Sequence, residues 1–272
     1  MESSQSLPKP LAPTLRIIGA TAITAARNKI MGMGPLFYVM VWSSLPLFLL
    51  MSVMLIYRDD TELRNYALVG GAGVSLLFSM LYGAGEILDS ERQRGTLGNL
   101  FVSPGPRYAW LAGFQIFNLL EAAFSGMVAL VTGSLLFGIQ LDVNPLSLLV
   151  SLLLFIASLW GFSMIAGAIG VAIRNANQLS NLLFSPILMV AGAMYPVDRM
   201  PEWLRIPARC LPFSYGMDAL VASVTTGASL ASLGHDFLPL AGFAIVLPVL
   251  GIAAFNRLER MSKRTGSLEL MS

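Results

Sequence analysis

Long apolar runs separated by short polar stretches set the pattern of this 272-residue chain. A helix crossing roughly 30 Å of hydrocarbon needs about 20 mainly apolar residues. Six stretches meet or approach that length: 33–57, 66–88, 108–137, 146–173, 178–195 and 237–256. The fourth, LSLLVSLLLFIASLWGFSMIAGAIGVAI, holds no charge in 28 residues. The fifth, QLSNLLFSPILMVAGAMY, is short and carries Pro186, whose freed backbone groups must be satisfied by neighbouring helices. Period-two alternation is absent, which argues against a β-barrel. The pattern predicts an all-α polytopic membrane protein with six transmembrane helices in one domain, 33–256.

Two other stretches fit helices that do not cross. Residues 13–32 begin at Thr14, a plausible N-cap, and place Leu15, Ile18, Ala22 and Ala25 on one face, with Arg16, Thr24 and Arg27 elsewhere. An amphipathic helix lying on the cytoplasmic membrane surface is expected there. Residues 196–227 are broken by prolines and half polar, which predicts short external re-entrant helices before the last span. Residues 1–12 read as a disordered cytoplasmic lead and 257–272 as a cytoplasmic tail. The lead has no basic segment followed by an apolar one, so it does not read as a cleavable signal peptide.

Composition agrees with the pattern. The chain is 56% hydrophobic and 12% charged, against roughly 25% charged in an average soluble domain. A net charge of +2 and the lack of a basic stripe with interleaved aromatics exclude nucleic acid as a partner. Cys210 is the single cysteine, so neither an intrachain disulfide nor a cysteine-built metal site is expected. His235 also stands alone and reads as an interfacial histidine. Of the 17 lysines and arginines, Arg58, Arg64, Arg199, Arg205 and Arg209 fall on one side of a six-span arrangement and the other twelve on the opposite side. The basic side faces the cytoplasm, which puts both termini inside a cell (inner or plasma) membrane. Tyr57, Tyr66, Tyr195 and Trp203 would mark the outer interface, Tyr108 and Trp110 the inner one.

The loop DSERQRGTLGNLFVSPGPR, 89–107, breaks the apolar pattern with four ionised groups between Asp89 and Arg94. Ser90 and Gln93 form an S-x-x-Q capping box, which predicts the start of a short helix. Leu97, Leu100 and Phe101 give that helix one apolar face, and Pro104 and Pro106 stop it. Its charged first turn would project into the cytosol while its apolar face rests on a partner. An ordinary solvated loop is the alternative.

E-R-Q-R-G-T-L-x-x-L-F-V-S-P, 91–104, resembles the signature cytoplasmic loop of the ABC-2-type exporter permeases, the superfamily of the O-antigen, Nod-factor and daunorubicin-type exporters. Members carry E-R-E-x-G-T-L-E-x-L-L-x-T-P at this place. LSNLLFSPILMVAGAMYP, 179–196, is similar to the fifth-span motif of that family, and MPEWLRIPARCLPFSYGMDAL, 200–220, to its external segment. The resemblance covers roughly 30–256 in order. It implies a coupling helix seated in a groove of an ABC ATP-binding subunit. Glu91, Arg92 and Arg94 would then pair with the ATPase, Gly95 and Thr96 would make a turn, and Leu97, Leu100 and Phe101 would form an apolar wedge. It further implies two copies of the ATPase, a second permease chain, identical or paralogous, and ATP and Mg held by the ATPase. Gln93, Gly98 and Val221 depart from the family pattern. The first two soften the charge at the coupling surface, and Val221 stands where the external helix often has an arginine.

This chain is not expected to be catalytic or to bind a cofactor itself. Its lysines, Lys9, Lys29 and Lys263, lie in no G-x-x-x-x-G-K-[ST] loop. Polar residues within spans are the candidates for handling substrate. Ser75, Ser79, Tyr82 and Glu86 share one face of the second span, and Asn118, Glu121, Ser125 and Thr132 one face of the third. They would line a path for a drug, antibiotic, lipid or glycolipid, or else face other helices for packing alone. Glu86 reads as interfacial. Glu121 has no cation in its own span and could serve as a proton relay in an ion-coupled secondary transporter, though such carriers usually have more spans and inverted repeats. No paired carboxylates or metal-spaced histidines support an enzyme. Small residues such as Gly70, Gly161, Ala166 and Gly170 suit close helix contacts, within the chain or at a subunit seam.

The basic asymmetry generates a topology test. In a Cys210→Ala background, Thr61→Cys or Met200→Cys should react with an impermeant thiol reagent added to intact cells, whereas Gly98→Cys or Gly266→Cys should not. External labelling of position 98 would overturn the orientation.

Overall fold

A computed structural model of the protein describes residues 11–93, 95, 107–137, 141–173 and 175–265, and among these every regular element is helical. In chain order they are α1 (Leu11–Met33), α2 (Pro35–Ile56), α3 (Thr61–Gln93), α4 (Arg107–Phe137), α5 (Pro145–Ala172), α6 (Ala176–Val190), a 3-10 turn (Val197–Arg199), α7 (Glu202–Arg209), α8 (Pro212–Thr225) and α9 (Gly234–Thr265). Five of these helices, α2, α3, α4, α5 and α9, are long and apolar enough to cross a membrane. The fifth of the six expected spans forms α6, a helix of 15 residues with Pro186 inside it.

Helix α3 is the axis of the bundle and packs on α2, α4, α5, α6 and α8. Of its most apolar 18-residue stretch 82% is buried, against 12% for α2 and 11% for α9, so the outer helices present their apolar faces to the surroundings. Leu36, Phe37, Phe48 and Leu55 of α2 and Leu238, Ile245 and Val249 of α9 are all exposed. So much uncovered apolar surface suits hydrocarbon, not water. Inside, Leu77 and Met80 of α3 join Phe155 of α5 and Phe213 and Met217 of α8 in one fully buried cluster.

Glycines permit these contacts. A Cβ on Gly70 would lie 1.6 Å from the Ala193 carbonyl oxygen, so α3 touches the turn after α6 backbone to backbone. At Gly161 a Cβ would lie 2.2 Å from the Pro248 nitrogen, and there α5 and α9 meet as closely.

One end of the bundle is closed by hydrogen bonds to the turn after α6. The Tyr57 hydroxyl donates to the Met194 carbonyl (3.1 Å) and the Tyr66 hydroxyl to the Gly192 carbonyl (2.7 Å). Beside them Arg209 donates to the carboxylates of Asp218 (2.8 Å) and Asp198 (3.0 Å) and lies 3.9 Å from that of Asp236. Burial pushes the Asp218 carboxyl up to about 6, against the pull of the Arg209 guanidinium in the other direction.

The predicted capping box does not form. Helix α3 runs unbroken from Thr61 to Gln93, and Ser90, inside its last turns, donates its hydroxyl back to the Ile87 carbonyl (3.2 Å). No glycine or proline separates Gly85 from Gln93, and extending a helix costs less than nucleating another. The stop comes at Gly95, which has φ +69° and whose N–H donates to the Arg92 carbonyl (3.0 Å). Asp89 does not project freely into the cytosol either. Its carboxylate accepts from the backbone N–H groups of Ala176 (3.4 Å) and Asn177 (2.8 Å), placing negative charge on the N-terminus of α6. Arg94, Thr96, Leu97, Leu100 and Phe101 of the expected coupling helix lie outside the described residues.

Gly70→Ala should force α3 from the Ala193 turn at a cost of about 1–3 kcal/mol. Gly71→Ala, whose Cβ would meet only the Leu49 Cβ at 3.9 Å, should be neutral. Melting temperatures of the two purified variants in one detergent check the difference, and equal values would contradict the close contact.

Candidate functional site

Glu121 is 3% exposed and lies nine residues inside the apolar stretch Ala112–Leu135 of α4, about 14 Å at 1.5 Å per residue. An ionised carboxylate at that depth needs a partner. The apolar stretch around it, Ala112–Leu135, offers no cation, and the partners come from the N-terminal part of the chain. Lys29 of α1 donates from Nζ to Glu121 Oε2 (3.0 Å), and Tyr38 of α2 donates from its hydroxyl to Oε1 in a short hydrogen bond. Between these two helices stands Gly34 at φ +81°, a conformation that favours glycine. One carboxylate thus takes a donor from each side of the α1–α2 elbow.

The course of α1 explains how Lys29 reaches so deep. A Cβ on Gly113 of α4 would lie 2.4 Å from the Ile18 carbonyl oxygen and 2.8 Å from the Thr21 Cβ. From Thr21 to Lys29 and from Gly113 to Glu121 both helices advance eight residues, about 12 Å, side by side in the same direction. Lys29 also lies 3.0 Å from Glu86 Oε2, and its ammonium sits 4.8 Å from the Trp42 ring centroid. The three charged side chains differ in access: 1% of Glu121 is exposed, 11% of Lys29 and 45% of Glu86.

Lys29 and Glu86 belong to the walls of two cavities. One, of about 500 Å³, lies between α1, α3 and α4 and includes Thr21, Asn28, Ser90 and Trp110. The other, of about 450 Å³, is lined by Ser75, Ser79 and Tyr82 of α3, Asn118 and Ser125 of α4, and Trp42 and Ser44 of α2. Ser75, Ser79, Tyr82 and Glu86 of the second span and Asn118 and Ser125 of the third therefore face one common space. Ser125 joins them, donating to the Ser75 hydroxyl (3.3 Å) and the Trp42 carbonyl (3.0 Å). Tyr82 donates to Asn181 Oδ1 of α6 (2.6 Å) and stacks on Phe78 at 4.3 Å. Asn118 donates from Nδ2 to Gln115 Oε1 (3.2 Å), while its own Oδ1 has no partner among the described residues.

Glu121 and Thr132 line neither cavity; Glu121 stands behind Lys29. Sequence reasoning missed Lys29, Tyr38, Trp42 and Asp89. A signal for Lys29 was present, since it is the one lysine between Lys9 and Lys263 and the nearest preceding lysine to an unpaired membrane carboxylate. Nothing in the sequence marks Tyr38 apart from the other aromatics of its span.

The family model described as ABC-2 type transporter matches residues 16–224. The chain is 24% identical over 170 residues to the probable multidrug ABC transporter permease YbhR of Escherichia coli (strain K12), and equally to the protein of that name in Escherichia coli O157:H7. Each match covers 62% of this chain and 45% of the relative, so the aligned region spans about half the length of these relatives.

Removing one member of the buried pair should cost more than removing both. Lys29→Met leaves Glu121 without its cation and should destabilise the protein by about 3–5 kcal/mol. The double variant Lys29→Met/Glu121→Leu should recover much of that loss. Thermal unfolding of the single and double variants in detergent measures the coupling, and additive losses would mean that the two side chains act independently.

Proposed function

The chain belongs to the ABC-2 type transporter family, and from that premise we propose that it is the membrane permease subunit of an ATP-driven exporter, moving a drug, antibiotic, lipid or glycolipid outward across the cell membrane. The observation that carries this reading is the 450 Å³ cavity, where polar groups from α3 and α4 converge between helices that are otherwise apolar. An amphiphile can lay its apolar part against Trp42, Phe78 and Tyr82 while its polar part meets the serines and Asn118. The description of the Escherichia coli relatives as probable multidrug permeases supports a drug among these classes.

The permease works as a non-catalytic subunit with two copies of an ABC ATPase, which hold ATP and Mg, and with a second permease chain. The loop after α3 carries the coupling residues. Glu91 and Arg92 end α3, Gly95 turns the chain, and Arg94, Thr96, Leu97, Leu100 and Phe101 complete the surface that meets the ATPase. Both termini face the cytoplasm, and six segments cross the bilayer. In support of α6 as a span, Asp89 of α3 caps its N-terminus, and the turn after its C-terminus meets Gly70 of α3. These contacts lie 19 residues apart on α3, about 28 Å, close to the thickness of the hydrocarbon. A proton relay through Glu121 has less support, because Lys29 and Tyr38 already occupy both its oxygens.

The coupling surface supplies the test. Each apolar wedge residue contributes on the order of 1.5–3 kcal/mol if fully covered, and each exposed ion pair about 0–1 kcal/mol. Leu100→Asp or Phe101→Asp should therefore abolish co-purification of the ATPase and ATP-dependent export while the permease stays monodisperse. Arg94→Ala alone should leave an assembled complex. A pull-down in mild detergent at two salt concentrations, paired with export from reconstituted vesicles, reads both outcomes. Intact binding and export in the aspartate variants would defeat the coupling assignment.

A further inference from the structure

Among the described side chains, the cluster behind the cavity is short of one positive charge. Lys29 is the only cation among the described side chains lining either cavity, and it faces two carboxylates, Glu86 and Glu121, each at 3.0 Å. One lysine cannot neutralise both. Glu121 is buried and also bound by Tyr38, so it holds its share of the lysine firmly. Glu86, at 45% exposure, is the partner that can turn toward a ligand.

A second observation points to the same chemistry. Asn118 is 1% exposed and lines the 450 Å³ cavity, and its Oδ1 accepts no hydrogen bond from the described residues. A buried acceptor without a donor is costly, and a ligand N–H can satisfy it. Aromatic faces complete the wall, with Trp42, Phe78 and Tyr82 beside Glu86. An anionic head group finds no equivalent among the described residues, because the one ammonium they bring to the wall is already engaged by two carboxylates and the Trp42 ring.

We propose, building on the permease reading, that this cavity is a binding site for amphiphiles bearing a primary or secondary ammonium group, with Glu86 and the Asn118 amide oxygen as its recognition elements. The ammonium takes the Glu86 carboxylate from Lys29 and donates an N–H to Asn118 Oδ1. Lys29 stays on Glu121, and each carboxylate then has its own cation. The apolar tail lies along Trp42, Phe78 and Tyr82. Glu121 sets this selectivity as a positioning residue, because it keeps Lys29 from following Glu86.

The full-length chain in phosphatidylcholine nanodiscs, with empty nanodiscs as the blank, is titrated calorimetrically with decylammonium, decyltrimethylammonium and decyl sulfate. Decylammonium should bind about tenfold or more tightly than decyl sulfate, and Glu86→Gln should erase most of that difference. Asn118→Leu should weaken decylammonium while leaving decyltrimethylammonium, which has no N–H to give, unchanged. Both variants are compared at matched melting temperature, and Glu86→Asp, which keeps the charge, should retain the preference. Equal affinity for decyl sulfate, or an unchanged preference in Glu86→Gln, would overturn the inference. Export by the assembled complex is measured separately. An exporter that carries only anionic amphiphiles sinks the ammonium site and leaves the permease reading standing. Selective decylammonium binding without ATP-driven export of any amphiphile does the reverse.

Discussion

A carboxylate held in the apolar middle of a membrane helix needs a cation, and in this protein the cation comes from a helix that precedes the spans. Water screens two charges 4 Å apart to about 1 kcal/mol, whereas a medium of lower effective dielectric raises the interaction several-fold and raises the cost of an unpaired ion with it. Lys29 answers Glu121 at 3.0 Å. That contact draws the last two turns of α1 up along α4, and Tyr38 draws in the first turn of α2 from the far side of Gly34. The elbow is fastened at one carboxylate, and the lysine ammonium lies near the rings of Trp42, Phe114 and Phe117. Removing the charge from α4 would leave α1 without its deepest attachment.

The rest of the bundle places a cavity beside that attachment. Helix α3 can be central because glycines bring it into backbone contact with its neighbours, and the same helix turns Ser75, Ser79 and Tyr82 toward α4. Asp89 and the tyrosines at the other end fix α6 alongside it, so one wall of the cavity gains Asn181 as a partner for Tyr82. Arg209 and its three aspartates tie α7, α8 and α9 together near the same end as Tyr66. The polar space is thus bounded by helices held to one another, with its charged members grouped around Lys29.

Local pattern carried much of this into the sequence. Apolar run length gave helix limits within a few residues for α2, α4 and α5, and the i, i+3, i+4 spacing of polar residues picked out Ser75, Ser79, Tyr82, Glu86, Asn118 and Ser125, which line the cavity, together with Glu121 and Thr132, which do not. What failed were features decided by partners far along the chain. Ser90 and Gln93 have the spacing of a capping box, but the preceding helix simply continues through them. Asp89 looked like part of a cytosolic charge cluster, yet its use is to cap a helix that starts 87 residues later. Glu121 was visible as an anomaly while its partners, 92 and 83 residues away, were not. Pairwise contacts between helices leave little trace in one sequence, because any buried donor of suitable reach satisfies the same carboxylate.

The scarcity of lysine makes the central contact directly measurable. Solid-state NMR on protein in lipid, with lysine Nζ labelled as ¹⁵N and glutamate Cδ as ¹³C, reports dipolar dephasing only where an ammonium touches a carboxylate. With three lysines in the chain, a Lys29→Arg control identifies the signal. The account predicts strong dephasing of Lys29 at direct-contact distance, reduced in part by Glu121→Gln and in part by Glu86→Gln. A Lys29 signal with no carboxylate dephasing, or one that Glu121→Gln leaves unchanged, would contradict it.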